Sequence, residues 1–528
     1  MSKSKHKKKN TKKSQDTLGL IKAWAVGIYC FLMLCVFVLY APKKYVYIGN
    51  NKISFFEKVT GVFLIVALIL FIVFLIKSIL LKEKIKFSLT FPEVILLIYG
   101  AWNLISFAFS DYKRTALFGY DGWHTGLYMQ LALIAVFFTI GRWKNKYEWL
   151  IRASAIVLII ECLMVVLQRF GFDPFGFYSQ MGFMDWNRRN LLGTMGNTNW
   201  LMGYEIIIIP ILLWLYFEAN ELWERILWGI GNFLMISAIF LQGSASGIVS
   251  LGVILLFLIF IYVKDGNKLA RILEIVNMIF LFWSLLSIFR IPLIEPEEKD
   301  TTRFYTLLWI IPTVLLGLII AMLYLYIKKK GTTLPKSFAY TIRIIMISGI
   351  VLGFMLLFAI QFSDKLWQVF GSLGALRITD NSGSFRILLW KQCLKHFLLD
   401  SSIKEFLFGV GPDSFGCWYK TKNIVIPQVG GPFIDAVYTN AHNDLLTAAV
   451  NLGIPGVIIY IGLFISMAVT AVKSFSIKGK TLWTMPAFLI IIGYVVNNMF
   501  SFQTVCSTPV FFIIIALLLT SKKTSGKS

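Results

Sequence analysis

Residues 59–79 read Val-Thr-Gly-Val-Phe-Leu-Ile-Val-Ala-Leu-Ile-Leu-Phe-Ile-Val-Phe-Leu-Ile-Lys-Ser-Ile, and none of those up to Ile76 is charged. A run of this length matches the roughly 20 residues that a helix needs to cross a bilayer core. Its apolar residues are continuous rather than alternating, which excludes the strand of a membrane barrel. Backbone groups in lipid must bond within the segment, and a helix does so. Outward from this stretch the pattern repeats at 20–41, 91–109, 127–140, 150–167, 201–217, 226–241, 248–263, 272–289, 305–327, 340–360, 445–472, 482–500 and 510–520. The chain is 57% hydrophobic, against about 45–50% in soluble domains. The expected fold is all-α: a polytopic integral membrane protein with about 12–14 transmembrane helices and one long extracytoplasmic loop carrying amphipathic helices.

Charge gives the expected topology. The formal net charge is +24, with lysines crowded at 3–13 and at Lys522, Lys523 and Lys527. Cytoplasmic loops collect Lys and Arg. With the tail at 1–18 inside, the alternate loops at 81–86, 141–149, 263–271, 328–336 and 473–480 also fall inside, each with basic residues. Both termini are then cytoplasmic, and the loops at 111–126, 169–200, 291–303 and 361–443 face outward. The first run is too long for a signal-peptide core and lacks a small-residue cleavage site, so it stays as a helix. Topology explains the lysines better than nucleic-acid binding does. The chain divides into the basic tail 1–18, the first eleven helices at 19–360, the loop 361–443, and the final helices and tail at 444–528.

The loop 361–443 is far longer than an ordinary connection. Within it, 384–399 reads as an amphipathic helix. Phe385, Leu388, Leu389, Cys393 and Phe397 recur at helical spacing against Arg386, Lys391 and Lys395. The expectation is an interfacial helix with its apolar side toward lipid. Gly409, Gly411 and Pro412 break the chain after it. Cys393 and Cys417 share this loop, and their pairing is open, because spacing does not establish proximity.

Several residues invite chemistry. His442 precedes a helix start, where the positive end of the helix dipole disfavours imidazole protonation. It reads either as a general base or as a capping histidine. Arg386 fits a phosphate bidentately or snorkels toward headgroups. Arg188 and Arg189 precede Gly193-Thr-Met-Gly196-Asn197-Thr-Asn199, which is either a phosphate- or sugar-binding turn or a helix cap. The loop 111–126 mixes aromatic and charged residues; its aromatics and carboxylates suit a sugar, or Trp123 and Tyr120 form an interfacial belt. Glu161, in mid-span, keeps a transporter reading open. Glu205 lies near a helix start. The sequence holds no Walker motif, no Asp-x-Asp pair, no Cys/His cluster and no serine elbow. No cofactor is therefore expected, and neither metal nor nucleotide.

These patterns, in their order, resemble the O-antigen ligase family of bacterial membrane glycosyltransferases, which includes polysaccharide polymerases. Ser384-Phe-Arg386-Ile-Leu-Leu-Trp390 resembles its Arg-x-x-x-Trp helix start, and Gly409-Val-Gly-Pro-Asp-Ser-Phe415 its Gly-x-Gly-x-x-x-Phe segment. Ala441-His442-Asn443 with Gly453-Ile-Pro-Gly456 resembles its closing pattern, so that 361–456 is the signature region. The loop at 111–126 and the turn at 193–199 resemble earlier family patterns. The resemblance implies transfer of a glycan from undecaprenyl diphosphate to a glycan, lipid or protein acceptor on the outer face of the cytoplasmic membrane. Arg386 would bind diphosphate, and His442 would act on the acceptor hydroxyl. Arg188, Arg189, Asn197, Asn199, Arg114, Asn443 and Trp390 would line the substrates. Two departures stand out: Gly243-Ser-Ala-Ser-Gly247 lacks the arginine of the family's Ser-Arg-Gly, and His124 stands where arginine is common. Arg188, Arg189 or Arg114 are the candidates to replace them. A flippase for lipid-linked saccharide and a noncatalytic scaffold are the alternatives.

Overall fold

The structure, a computed structural model, describes residues 2–82, 84, 88–144, 147–179, 191–289, 307–363, 378–380, 382–424, 426, 437–475 and 483–519. Eleven helices among these are long and apolar enough to cross a membrane, and three shorter apolar ones, Leu127–Trp143, Thr484–Asn498 and Thr508–Leu519, accompany them. The protein is an all-α polytopic membrane protein. The sheet among the described residues is a ribbon, β1 (Leu191–Leu192) against β2 (Gly196–Asn197).

In chain order the helices are α1 (Ser2–Phe31, extended to Leu39 through a π-helical turn), α2 (Ile48–Leu80), α3 (Phe91–Phe109), the short α4 (Lys113–Phe118), α5 (Leu127–Trp143) and α6 (Glu148–Arg169). Next come α7 (Thr198–Glu218), α8 (Leu222–Gln242), α9 (Ala245–Tyr262), α10 (Gly266–Phe289), α11 (Ile310–Lys330) and α12 (Lys336–Phe362). The loop then carries α13 (Arg386–Leu399), α14 (Ile403–Phe408) and α15 (Phe415–Thr421), and α16 (Asp444–Phe475), α17 (Thr484–Asn498) and α18 (Thr508–Leu519) follow.

Helix α7 is the axis of the bundle. Its most apolar window is 94% buried, against 6% for α11 and α12. All three have a strongly apolar window, and such a stretch suits either a protein core or lipid. Neighbours decide which: α7 is enclosed by the large core that also takes in α1, α6, α8, α17 and α18.

Two acids inside the bundle are held by polar partners. Glu161 on α6 accepts the Thr194 backbone N–H at 2.9 Å and bonds the Thr194 hydroxyl. Gln168, about two helical turns along, accepts the Gly193 N–H at 2.8 Å. The β1–β2 turn is thereby clamped from below. Gly193 has φ +59°, and a Cβ there would meet Glu161 Oε2 at 2.4 Å. Glu205 accepts from Gln242 Nε2 at 2.6 Å. Lys52 donates to the carbonyls of Phe37 and Val38, both at 2.7 Å, which satisfies a fully buried ammonium.

Helix α16 is broken at Gly453 (φ 71°, ψ 177°) and carries Pro455. Proline has no N–H and clashes with the carbonyl four residues back, so carbonyls near Asn451 need other donors. The 409–411 segment supplies them: Val410 N–H donates to Val450 O at 3.0 Å and Gly411 N–H to Asn451 O at 2.9 Å. Helix α3 adds Ser106 Oγ to Asn451 O at 2.9 Å and Trp102 Nε1 to Leu452 O at 2.8 Å. The two glycine-containing patterns, far apart in sequence, are thus bonded to each other. A Cβ at Gly453 would lie 2.3 Å from Leu407 O, so the contact requires glycine.

The loop also differs from expectation. Leu389, Cys393 and Phe397 of α13 are buried with Phe415, Trp418 and Val450 in a second apolar cluster. The apolar face of α13 therefore rests on protein rather than lipid, because α15 and the start of α16 cover it. The loop does have a core, shared with α16. Cys393 and Cys417 are free thiols. Cys417 instead lies 3.7 Å from Thr115 Oγ1.

Candidate functional site

Two residues of the loop, one before α13 and one before α16, launch the site from left-handed backbone. Phe385, which precedes α13, has φ 67°, and His442 has φ 48°. Such conformations are uncommon for non-glycine residues and cost about 1–3 kcal/mol. The His442 end is fixed by named bonds. Asn440 Oδ1 accepts the His442 N–H at 3.0 Å. Trp390, one turn along α13 from Arg386, donates its indole N–H to Ala441 O at 2.8 Å. Asn443 Oδ1 caps α16 by accepting the Leu446 N–H at 3.0 Å, while its Nδ2 donates to Met499 O at 3.1 Å.

Arg386 and His442 both reach the turn after α17. Arg386 Nη1 donates to Phe500 O at 3.0 Å. The His442 ring packs edge-on against Phe502, with centroids 5.3 Å apart, and against Tyr438 at 6.3 Å. Burial first, and the Arg386 charge second, push the His442 imidazole down to about 4, so it is neutral at physiological pH. Arg386 is itself held below the ordinary guanidinium value by burial, yet a guanidinium stays charged. The site therefore pairs a permanent cation with a neutral imidazole.

Below His442 lies a polar cleft between α3, α5, α16 and the turn after α17. Tyr99, Trp123, Asp413, Asn440, Asp444 and Asn451 are among the residues that line it. Asp413 holds the loop before α5 in place, accepting the N–H groups of Tyr120 at 2.8 Å and Thr125 at 2.9 Å. Asp444 Oδ2 accepts from Tyr460 at 2.5 Å, and Tyr460 in turn accepts from Gln503 Nε2 at 2.9 Å. Trp123 stands edge-on to Phe502 at 4.8 Å and to Trp200 at 5.7 Å.

The geometry alone shows an arginine, a histidine and a polar cleft on one end of a membrane bundle. Residues 306–461 match the family model described as O-Antigen ligase. This segment belongs to the O-antigen ligase family. No curated protein matches the chain. The family is one of membrane glycosyltransferase-like ligases and polymerases. The O-antigen ligase segment contains Arg386, Trp390, His442 and both glycine patterns, while Tyr99, Trp123, Phe500 and Phe502 complete the surroundings from outside it.

The other expected residues fall in different places. Arg188 and Arg189 lie outside the described residues. Asn197 caps α7, its Oδ1 accepting the Asn199 N–H at 2.8 Å, and the turn before it is committed to Glu161 and Gln168. Asn199 adjoins Trp200, which reaches Trp123. Arg114 lines a separate groove with Glu57, Tyr120 and His124, where His124 Nδ1 lies 3.0 Å from Glu57 Oε1. At 243–247, Gly243 ends α8 with φ 66°, and the Ser244 and Ser246 hydroxyls bond each other at 3.1 Å.

Sequence reasoning missed Asp413, Asp444 and the 499–503 turn. The turn's signal was present: Asn497, Asn498, Phe500, Phe502 and Gln503 are polar and aromatic residues clustered between two apolar runs.

Proposed function

We propose that this protein transfers a glycan from a polyprenyl diphosphate, undecaprenyl diphosphate by family resemblance, to an acceptor hydroxyl on the outer face of the cytoplasmic membrane. The observation that carries this reading is the junction of Arg386 and His442, joined through the Trp390–Ala441 bond and the Phe500 carbonyl. Arg386 engages the diphosphate with charge-assisted bonds. The acceptor oxygen forms a bond to the anomeric carbon as the bond from that carbon to the diphosphate oxygen breaks. The diphosphate departs with the electron pair, stabilised by Arg386, and the acceptor proton passes to His442. A positioned base of this kind contributes roughly 10²–10⁴-fold. An imidazole near 4 is a weak base; an arriving diphosphate offsets the Arg386 charge and strengthens it.

Glu161, the main feature favouring a transporter, has a structural occupation in holding Thr194. The direct test uses the purified protein in vesicles with a polyprenyl-diphosphate glycan and candidate acceptors. The reading expects transferred glycan and released carrier diphosphate. Translocation of labelled lipid without transfer would favour the transporter instead.

A further inference from the structure

We infer that the cleft below His442 is a subsite for an uncharged, hydroxyl-rich sugar ring of the acceptor, and that it rejects acidic and phosphorylated sugars. This deepens the transfer reading and rests on it for the word acceptor; the chemistry of the cleft stands by itself.

Charge is the first argument. The cleft presents Asp413 and Asp444, and among the described residues no lysine, arginine or histidine lines it. Asp444 is 6% exposed, so little solvent screens it. A second anion brought beside such carboxylates meets like charge at low dielectric. The site is thereby divided: the cation Arg386 lies on the α13 side of His442 and the acids on the other. A diphosphate suits the first half and not the second.

Hydrogen bonding is the second. Asn451 is 9% exposed, and its Oδ1 has no partner among the described residues. A buried acceptor left unpaired costs about 1–3 kcal/mol. Its backbone carbonyl is already occupied by Gly411 and Ser106, so the side-chain oxygen is what remains for a ligand. A sugar hydroxyl donates a proton to such an oxygen, and a phosphate or carboxylate oxygen does not. Trp123 and Phe502 add aromatic surface at the same cleft, suited to the apolar face of a pyranose. A long lipid chain finds no match among these polar groups.

Position is the third. Asn440 and Asp444 line the cleft and bracket His442 in sequence, and Phe502 lines it while touching the His442 ring. A ring seated here brings a hydroxyl toward the imidazole from the side opposite Arg386.

The test is calorimetric titration of the full-length protein in nanodiscs with methyl glucoside, methyl galactoside, methyl glucuronide and methyl glucoside 6-phosphate. Geranylgeranyl diphosphate serves as an independent probe of the Arg386 half. The expected result is saturable binding of at least one neutral glycoside, with its acidic counterparts at least about tenfold weaker, a difference of ~1.4 kcal/mol. Asn451→Asp and Trp123→Ala are expected to weaken glycoside binding while leaving diphosphate binding intact. That intact binding also shows that the variants are folded. Acidic glycosides binding as tightly as neutral ones, no glycoside bound by the wild type, or affinity unchanged in both variants would each overturn the inference. Glycoside binding without diphosphate binding would sink the transfer reading and leave this one standing.

Discussion

Trp390 donates its indole N–H to the carbonyl of Ala441 at 2.8 Å, and this one bond ties the helix bearing Arg386 to the residue before His442. Arg386 and Trp390 are four apart on α13, so they share a helical face. Ala441 is fully buried, so its carbonyl has no water to turn to. Trp390→Phe keeps the ring near Phe500 but removes the donor. The expected outcome is a folded protein whose kcat for glycan transfer falls about tenfold, the equivalent of ~1.4 kcal/mol in the barrier, with little change in donor KM. A rise in donor KM with kcat unchanged would contradict the positioning role.

The His442 imidazole sets a pH signature. Its folded value of about 4 lies below the ordinary 6.5, through burial and then the Arg386 charge. Between those values the unfolded chain binds more protons, so stability rises with pH. The histidine's contribution is complete above 6.5 and is lost as pH falls toward 4. The acid limb of the pH–rate profile should accordingly lie well below 6.5. Arg386→Gln removes the second cause and leaves burial, so the His442 titration, followed by NMR, should move upward without reaching 6.5.

Asp413 illustrates the opposite sign. Burial raises its carboxyl to about 6, against an ordinary 3.8, although bonds from Tyr120 and Thr125 partly offset this. Its folded form holds a proton that the unfolded form has released, so its contribution is present below 3.8 and lost as pH rises through about 6. Asp413→Asn retains an oxygen for both backbone donors and removes the charge. Thermal unfolding above pH 7 should show it equal to or more stable than the wild type. Asp413→Ala strands both N–H groups and should lose about 1–3 kcal/mol.

Glu161 separates the structural from the transport account. Glu161→Gln keeps an oxygen for the Thr194 N–H and should retain most transfer activity. Gly193→Ala, by contrast, combines φ +59° with a Cβ placed 2.4 Å from Glu161 Oε2, and should destabilise the protein by roughly 1–3 kcal/mol. Loss of transfer in Glu161→Gln with unchanged thermal stability would return Glu161 to the chemistry.

Much of the architecture could be read from hydropathy, because lipid leaves the backbone few choices. The run at 91–109 coincides with α3, and each of the other apolar runs became a helix. Burial could not be read: the most apolar window of α12 is more apolar than that of α7, yet α7 is enclosed by neighbours and α12 faces outward. The face of α13 was misassigned for a related reason. Periodicity identifies the apolar side, but not whether lipid or α15 covers it. Arg386 and His442 stood out because their patterns are local. Asp413, Asp444 and Phe502 did not, since their roles depend on contacts between segments that periodicity cannot pair. The junction of the 409–411 segment with the Gly453 kink is of the same kind.

The most direct measurement of the central claim is glycan transfer by purified Arg386→Gln, His442→Ala and the double variant, against the wild type, with donor binding measured separately. The account predicts that each single change lowers kcat/KM by about 10²-fold or more. The double variant should be little worse than the poorer single one, because the two act as a unit. Donor binding should weaken in Arg386→Gln alone of the two single variants. Transfer persisting at wild-type rates in both single variants would contradict the account.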